Sequence, residues 1–295
     1  MKYLKNLKHI DDLGWLSLAT ASKKDVVSTL KSIEPALRKR YKSYDSEIIK
    51  YKACPTDTDF PCEADRDVLI EFYEKPPKKL NEELKNRRTK HELKDCPFCG
   101  NPLKPLTLDH FIPKSIWPDY SILPNNLIPQ CKSCAPIKGE KYYDDKTSKS
   151  FFINPIYSDL LERIRLKIEI DFKEDDNQFD FKIRFLTDEK ITKNELERLK
   201  SHLETLKVKS RILVYCKTTV SELINDCKAK KFDLKMVLKA RKEERFINDD
   251  SVRDWQTALF LGLLANDYFL IYLTSLMPTK RASSQKAKLT KVIDI

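Results

Sequence analysis

Glycine is scarce in this sequence: only 4 of its 295 residues are Gly, against a usual share of roughly 7%. Neither GxGxxG nor GxxxxGK[ST] occurs, so the chain lacks the Gly-rich loops that cradle phosphates in dinucleotide-binding and P-loop enzymes. The same scarcity argues against a large all-β fold with many tight turns.

Long apolar runs are also lacking. The N-terminus has basic residues but no continuous apolar stretch, so we expect no secretory signal. The most apolar segment, Ala258 to Met277, is interrupted by Asn266 and Asp267, whereas a bilayer span needs about 20 largely uninterrupted apolar residues. We therefore predict one buried helix from about Val252 to Met277, no membrane partner and a cytoplasmic location.

Positive charge is in excess, with 56 Lys and Arg against 45 Asp and Glu, a net charge of +11. It is concentrated in residues 1–52 (12 basic, 6 acidic), 75–94 (8 basic, 3 acidic) and 278–295 (5 basic, 1 acidic). Residues 95–150 are nearly neutral, with 7 basic and 6 acidic side chains. One basic run is usually a solvated face, but three runs around one segment favour a polyanion partner.

The hydrophobic pattern predicts an α+β fold that is mainly helical. Two stretches of alternating apolar residues flank Glu174–Asn177 and predict a β-hairpin with one buried face; the alternating residues are Ile164, Leu166, Ile168, Ile170 and Phe172, then Phe179, Phe181, Ile183 and Phe185. Thr192 and Glu195 then fit a capping box at the start of a helix.

Composition suggests four regions along the chain. Residues 1–94 are predicted to be a basic helical region, and 95–155 a turn-rich module embedded between helical segments. Residues 156–277 are predicted to hold the hairpin followed by helices, and 278–295 a basic flexible tail.

Four of the eight cysteines form two CxxC knuckles separated by 31 residues: Cys96, Cys99, Cys131 and Cys134. Two disulfides or unrelated thiols are the alternative. In a reducing compartment, however, two knuckles predict a tetrahedral, structural Zn²⁺ that leaves no open position for a substrate.

The other four cysteines are predicted to bind no metal. Cys54 and Cys62 are separated by seven residues, which is not the spacing of a tight ligand turn, so we predict free or packed thiols. Cys216 and Cys227 lie eleven residues apart, about three helical turns, and should share the buried face of a helix.

Between the knuckles, the pattern predicts a strand, a loop, a second strand and a helix that carries the second knuckle. An apolar strand ends in an Asp-His pair, and Lys-Gly follows the last cysteine. In order and spacing this closely resembles the HNH endonuclease family, whose fold is the ββα-metal (His-metal finger) motif, over about residues 95–155; the matching residues outside the first knuckle are Asp109, His110, Pro113, Asn126, Leu127, Cys131, Cys134, Lys138 and Gly139.

The resemblance implies a role for each residue. His110 would be the general base, and Asp109 would bind a catalytic Mg²⁺ or Mn²⁺ ion. Asn126 would brace the loop and orient His110, while Lys114 and Lys138 would contact phosphates. A half-buried histidine with satisfied hydrogen bonds is the structural alternative for His110. The remaining histidines lie in no such set and are predicted at the surface: His9, His91 and His202.

One position departs from the family pattern. The residue after the last knuckle cysteine is usually His or Asn and is the second protein ligand of the catalytic metal, but here it is Ala135. Glu140 or Asp144 would have to substitute, yet Ala135 and Glu140 are about 140° apart around a helix axis. Either the chain is a natural binder that does not cleave, or the ligand residue was replaced deliberately to silence a toxic nuclease. We favour replacement, because the other family residues are present.

Two functions follow as hypotheses. The first is a metal-dependent endonuclease that hydrolyses DNA phosphodiester bonds, with RNA as a further candidate substrate. By analogy of family type, it would be an effector of a restriction or anti-phage defence system with an ATPase or sensor partner. The second is a zinc-stabilised nucleic-acid-binding or adaptor module without catalysis.

Overall fold

The computed structural model describes residues 1–11, 13–52, 54–244 and 252–279. The fold is α+β and mainly helical, as predicted, with three separate two-stranded antiparallel sheets among these residues. The predicted tail, 278–295, lies almost wholly outside the described part of the chain.

Four helices form the N-terminal region: α1 (Gly14–Thr20), α2 (Val27–Lys50), α3 (Glu63–Glu74) and α4 (Lys78–Thr89). Pro76 and Pro77 separate α3 from α4, because proline cannot continue a helix but is tolerated at its start. Each helix buries an apolar stripe; Leu37, Tyr41 and Tyr44 of α2, for example, are almost fully buried.

The segment between the knuckles folds in the predicted order. It contains β1 (Thr107–His110), β2 (Leu127–Gln130) and α5 (Ala135–Lys138), followed by a short hairpin of β3 (Tyr143–Asp144) and β4 (Lys149–Ser150). The second knuckle differs slightly from expectation. It forms the turn before α5, and only Cys134 reaches the helix, as its N-cap residue.

The predicted β-hairpin is confirmed. It is formed by β5 (Arg165–Lys173) and β6 (Gln178–Leu186), with Phe172 opposite Phe179. Its buried face consists of alternate residues, as the period of two requires: Leu166, Ile168, Ile170, Phe181 and Ile183.

Five helices follow the hairpin within the described residues: α6 (Lys193–Thr205), α7 (Val208–Ala229), α8 (Leu234–Glu243), α9 (Trp255–Leu264) and α10 (Asp267–Ser275). The capping box of Thr192 and Glu195 is present at the start of α6. Cys216 and Cys227 are fully buried on α7, and Cys54 and Cys62 are exposed free thiols, as predicted.

The single helix predicted from Val252 to Met277 is wrong. The segment forms two helices, because the side chain of Asn266 accepts a hydrogen bond from the backbone N–H of Phe269 and caps a new helix. Among the described residues, no single helix is long and apolar enough to cross a membrane. Taken together, α9 and α10 reach that length and composition, but they meet at 86°.

One hydrophobic core connects the helical regions, the segment between the knuckles and the hairpin. It takes buried side chains from each, among them Leu16, Leu80, Ile128, Ile168 and Leu259. The ββα segment is therefore held on several sides by the rest of the chain.

Candidate functional site

The Asp-His pair ends strand β1, where the pairing with β2 fixes its backbone. Asp109 lies opposite Ile128 and His110 opposite Leu127. Their side chains have different partners, and in the described part of the chain no hydrogen bond joins them. His110 contacts Ser121 and Tyr73, whereas Asp109 contacts Lys138.

His110 has a defined tautomer. Its Nε2 lies 2.9 Å from the carbonyl oxygen of Ser121, which can only accept, so Nε2 carries the proton and Nδ1 keeps its lone pair. Burial lowers the pKa of His110 to about 3, well below the near-neutral value expected for a general base. The imidazole is therefore neutral at pH 7, with one nitrogen able to accept a proton.

Helix α3 covers His110. The ring of Tyr73 meets the imidazole edge-on, with centroids 4.3 Å apart. Next to Tyr73, Glu74 accepts a hydrogen bond from the Nζ of Lys114 over 2.8 Å. Lys114 is thus partly exposed beside the candidate base, but its ammonium is paired with a carboxylate.

Asn126 ties together the loop between the two strands. Its Oδ1 accepts from the N–H of Ile112 at 2.8 Å and the hydroxyl of Tyr44 at 2.9 Å. Its Nδ2 donates to the carbonyl oxygens of Ile112 and Tyr120 at 3.0 and 3.1 Å. Every hydrogen-bonding capacity of this buried amide is used, so Asn126 holds the loop that follows His110.

Lys138 lies inside the protein. Its side chain is 0% exposed, and Nζ donates to the carbonyl oxygen of His110 over 2.8 Å. Nζ also lies 3.1 Å from Oδ2 of Asp109, within ion-pair distance but without good hydrogen-bond geometry. The ammonium expected to contact phosphate instead faces Asp109, and no solvent reaches it.

Asp109 is a poor ligand for a hard cation in this arrangement. Burial raises the pKa of its carboxyl group, and the ammonium of Lys138 only partly opposes that effect. Ala135 offers no donor atom, Glu140 is exposed beyond the end of α5, and Asp144 accepts hydrogen bonds within its own turn from Lys146 and Thr147. One carboxylate already paired with a cation does not fit a Mg²⁺ or Mn²⁺ site.

The four cysteines of the two knuckles form a group that could hold a metal ion. They are buried, and their sulfur atoms all lie within 4.8 Å of one another. The Sγ atoms of Cys99 and Cys131 are 3.9 Å apart, close to the roughly 3.8 Å between thiolates that share a tetrahedral Zn²⁺ at about 2.3 Å. The donor set therefore fits the structural zinc predicted from the spacing.

Helices α7 and α9 pack against this cluster. From α7, the guanidinium of Arg211 donates to three sulfur atoms, at 3.3 Å to Cys134, 3.6 Å to Cys99 and 3.7 Å to Cys131. Burial alone would lower the pKa of Arg211, but the neighbouring cysteine sulfurs raise it. Arg211 also lies over the ring of Trp255, 5.4 Å from its centroid.

The first knuckle is closed by the start of α9. The indole Nε1 of Trp255 donates to the carbonyl oxygen of Cys99 at 2.6 Å, and its backbone N–H donates to that of Gly100 at 3.2 Å. Gly100 has a φ of +75°, and a Cβ atom there would lie 2.4 Å from the carbonyl oxygen of Arg253. Only glycine combines this backbone conformation with so close an approach.

The prediction that the other histidines lie at the surface is wrong for two of them. His202 is fully buried: its Nε2 donates to the carbonyl oxygen of Phe98 at 2.8 Å, and its Nδ1 accepts from the N–H of Ile153 at 3.2 Å. His91 is also buried, and its Nε2 donates to the carbonyl oxygen of Pro105. His9 is partly exposed.

Some of the basic side chains counted toward a polyanion-binding surface serve the fold. Arg40 is buried and donates to the carboxylate of Asp119 at 3.1 Å. Arg87 is buried too, and its Nε donates to the carbonyl oxygen of Leu127 at 3.0 Å. The basic surface is therefore smaller than the sequence count suggests.

Comparison with known proteins gives one short match. Thirty-nine residues are 44% identical to part of the protein named Protein ea31 of Escherichia phage lambda, and the match covers 13% of each chain. No family model matches the chain. No solved structure matches it either.

Proposed function

We propose that this chain carries an HNH-type endonuclease module that acts on the phosphodiester bonds of DNA. The observation that carries the proposal is the hairpin of β1 and β2, which presents Asp109 and His110 beside a four-cysteine cluster and a short helix. It combines the ββα arrangement with the residue order of the family.

His110 is the proposed general base. Its Nε2–H is held by Ser121, so the free Nδ1 would accept the proton of an attacking water molecule. Asn126 acts indirectly, by fixing the loop that follows His110. Lys114, on that loop, is the side chain proposed to contact a phosphate, after it exchanges Glu74 for the substrate.

Zinc is proposed to have a structural role, with all four of its positions filled by cysteine. The reducing cytoplasm is the proposed location, because it keeps such thiols available for metal. A catalytic Mg²⁺ or Mn²⁺ ion would need a second ligand at position 135. We therefore expect the chain, with Ala135, to cut DNA poorly or not at all.

A supercoiled-plasmid assay with Mg²⁺ or Mn²⁺ tests the proposal on the unaltered chain and on Ala135→Asn and Ala135→His. We expect nicking by at least one of these variants. A matched control is Ala229→Asn, at the exposed end of α7, which should leave the chain inactive. Adding His110→Ala should abolish the restored cleavage while zinc content stays the same. The proposal fails if both position-135 variants bind plasmid and neither nicks it.

A second candidate is a non-catalytic nucleic-acid-binding or adaptor module. The buried pair of Asp109 and Lys138 favours it. The ammonium of Lys138 already pairs with the carboxylate that would have to be free to bind the metal. In this case DNA or RNA binding would weaken steeply with salt, and no variant at position 135 would cut. Whether the module acts in restriction or phage defence, with an ATPase or sensor partner, can be tested by phage plating with cells that express it.

A further inference from the structure

A small cavity is lined in part by Phe111, the residue that follows His110. Its volume is about 180 Å³, roughly tenfold the 10–15 Å³ that one water molecule requires. Five of the eleven residues that line it are aromatic: Tyr51, Phe111, Tyr142, Phe152 and Tyr157. Four polar residues that the candidate nuclease site does not use also line it: Ser150, Asn154, Ser158 and Arg198.

Arg198, on α6, brings a positive charge into this wall. Its guanidinium stacks over the ring of Tyr51, 3.7 Å from the centroid. Among residues 1–11, 13–52, 54–244 and 252–279, no acceptor lies within hydrogen-bond distance of Arg198 and no carboxylate within ion-pair distance. Burial lowers the pKa of Arg198, and the nearby Tyr51 and Glu195 oppose that shift only in part.

Three carboxylates of neighbouring segments have partners other than Arg198. Glu195 closes the capping box with Thr192 and pairs with Arg163. Glu197 pairs with Lys149 at 2.7 Å. On the other side, Asp45 accepts from the hydroxyl of Tyr157 and pairs with Lys8. None of these three carboxylates forms an ion pair with Arg198, so its guanidinium is available to a group from outside the chain.

Asn154 supplies a second donor. Its Oδ1 accepts from the N–H of Ile156 at 2.9 Å, which fixes the orientation of the amide. Its Nδ2 is buried and has no acceptor in the described part of the chain. A buried donor without an acceptor is unfavourable. A ligand with several acceptor oxygens would satisfy both Asn154 and Arg198.

We propose that this cavity binds a phosphate group through Arg198 and Asn154. A guanidinium fork engages two oxygen atoms, and the amide of Asn154 needs a third, which a phosphate has and a carboxylate lacks. The phosphate could be free inorganic phosphate or the terminal phosphate of a nucleic-acid strand. The proposal does not depend on nuclease activity, because Asp109 and His110 do not line the cavity.

Isothermal titration of the full-length, zinc-loaded chain with inorganic phosphate tests this site, at about 0.15 M salt, where most long-range surface attraction is screened. Arg198→Met removes the fork. Asn154→Asp keeps the acceptor for Ile156 but replaces the donor with a carboxylate that repels phosphate. Each should weaken binding by about tenfold or more. Arg184→Met, at an exposed position on β6, is the matched control and should bind as the unaltered chain does.

The source of the phosphate is distinguished by competition with one oligonucleotide in two forms, 5′-phosphorylated and 5′-hydroxyl. Displacement by the phosphorylated form alone identifies a strand terminus, and displacement by neither identifies free phosphate. Equal displacement by both forms, no phosphate binding, or equal binding by the Asn154→Asp variant overturns the proposal. If Arg198→Met does not fold, as judged by melting temperature and zinc content, Asn154→Asp decides alone.

Discussion

The guanidinium of Arg211 donates to the Sγ of Cys134 over 3.3 Å, across 77 residues of sequence. A zinc ion bound by four thiolates carries a net charge of about −2, which this cation offsets.

Arg211→Met should therefore weaken zinc binding, by roughly 10- to 100-fold as for other groups that contact metal ligands. Transfer of zinc to a coloured chelator measures the effect. Arg184→Met, exposed on β6, is the control. Zinc release at the same rate and to the same extent in both variants would show that Arg211 has no part in metal retention.

Cys99→Ser should lose the metal and lower the melting temperature, because a structural zinc contributes directly to folding free energy. Cys62→Ser changes an exposed free thiol and should alter neither. Zinc content by mass spectrometry and thermal unfolding give the two readouts. A Cys99→Ser variant with one full equivalent of zinc would contradict the ligand assignment.

The spacing of the cysteines and the period of two in the hairpin could be recognised from the sequence because both are local. The role of Arg211 could not, since its partner Cys134 is distant in sequence and no pattern around Arg211 signals the contact. Lys138 is a similar case. A Lys-Gly pair reads as a solvent-facing helix end, and only the packed structure shows the ammonium buried against Asp109.

Gly262→Ala should destabilise the fold by about 1–3 kcal/mol, since overpacking forces the backbone apart. A Cβ atom at Gly262 would lie 2.2 Å from the carbonyl oxygen of Ile168, where α9 meets β5. At Gly14 it would meet only the end of the Asp11 side chain at 2.9 Å, so Gly14→Ala should be neutral or gain up to about 1 kcal/mol of helix propensity. Denaturant unfolding compares them; equal stability of the two variants would refute this packing argument.

His202 should make stability fall with acid. Burial lowers its pKa to about 4 from the ordinary 6.5, with the carbonyl of Phe98 partly opposing the shift. The unfolded chain therefore takes up a proton first as the pH drops. The contribution of neutral, buried His202 to the unfolding free energy is complete above pH 6.5. It is lost as the pH falls toward 4, by up to about 3 kcal/mol.

His202→Gln is the comparison, because both chains share any acid sensitivity of the four-cysteine cluster. Unfolding free energies measured across this pH range should fall more steeply for the unaltered chain than for the variant. Parallel curves would mean that His202 titrates alike in the folded and unfolded states.

The losses of stability caused by substituting Asp109 and Lys138 should not be additive. Lys138→Met or Asp109→Asn alone leaves a buried polar group without its partner, at a cost of about 3–5 kcal/mol. The double variant should cost less than the sum of the two. Urea denaturation of all four chains gives the coupling energy, and additive losses would show that the 3.1 Å contact contributes nothing.

The break between α9 and α10 could have been predicted from the sequence, whereas the burial of His202 could not. Asn266 interrupts an apolar run, and asparagine is also a favoured N-cap residue; its capping divides the segment into α9 and α10. The burial of His202 has no such signal. It depends on the carbonyl oxygen of Phe98, 104 residues away.

The closure of the first knuckle by Trp255 and Gly100 bears on how this unit could move between proteins. A fragment of residues 95–155 would keep all four cysteines but leave behind the indole and the guanidinium that cover them. Recombination that transplants the ββα unit must therefore carry α7 and α9 with it or provide a recipient surface of the same shape and charge. The ββα unit therefore depends on the rest of this chain for the cover of its cysteine cluster.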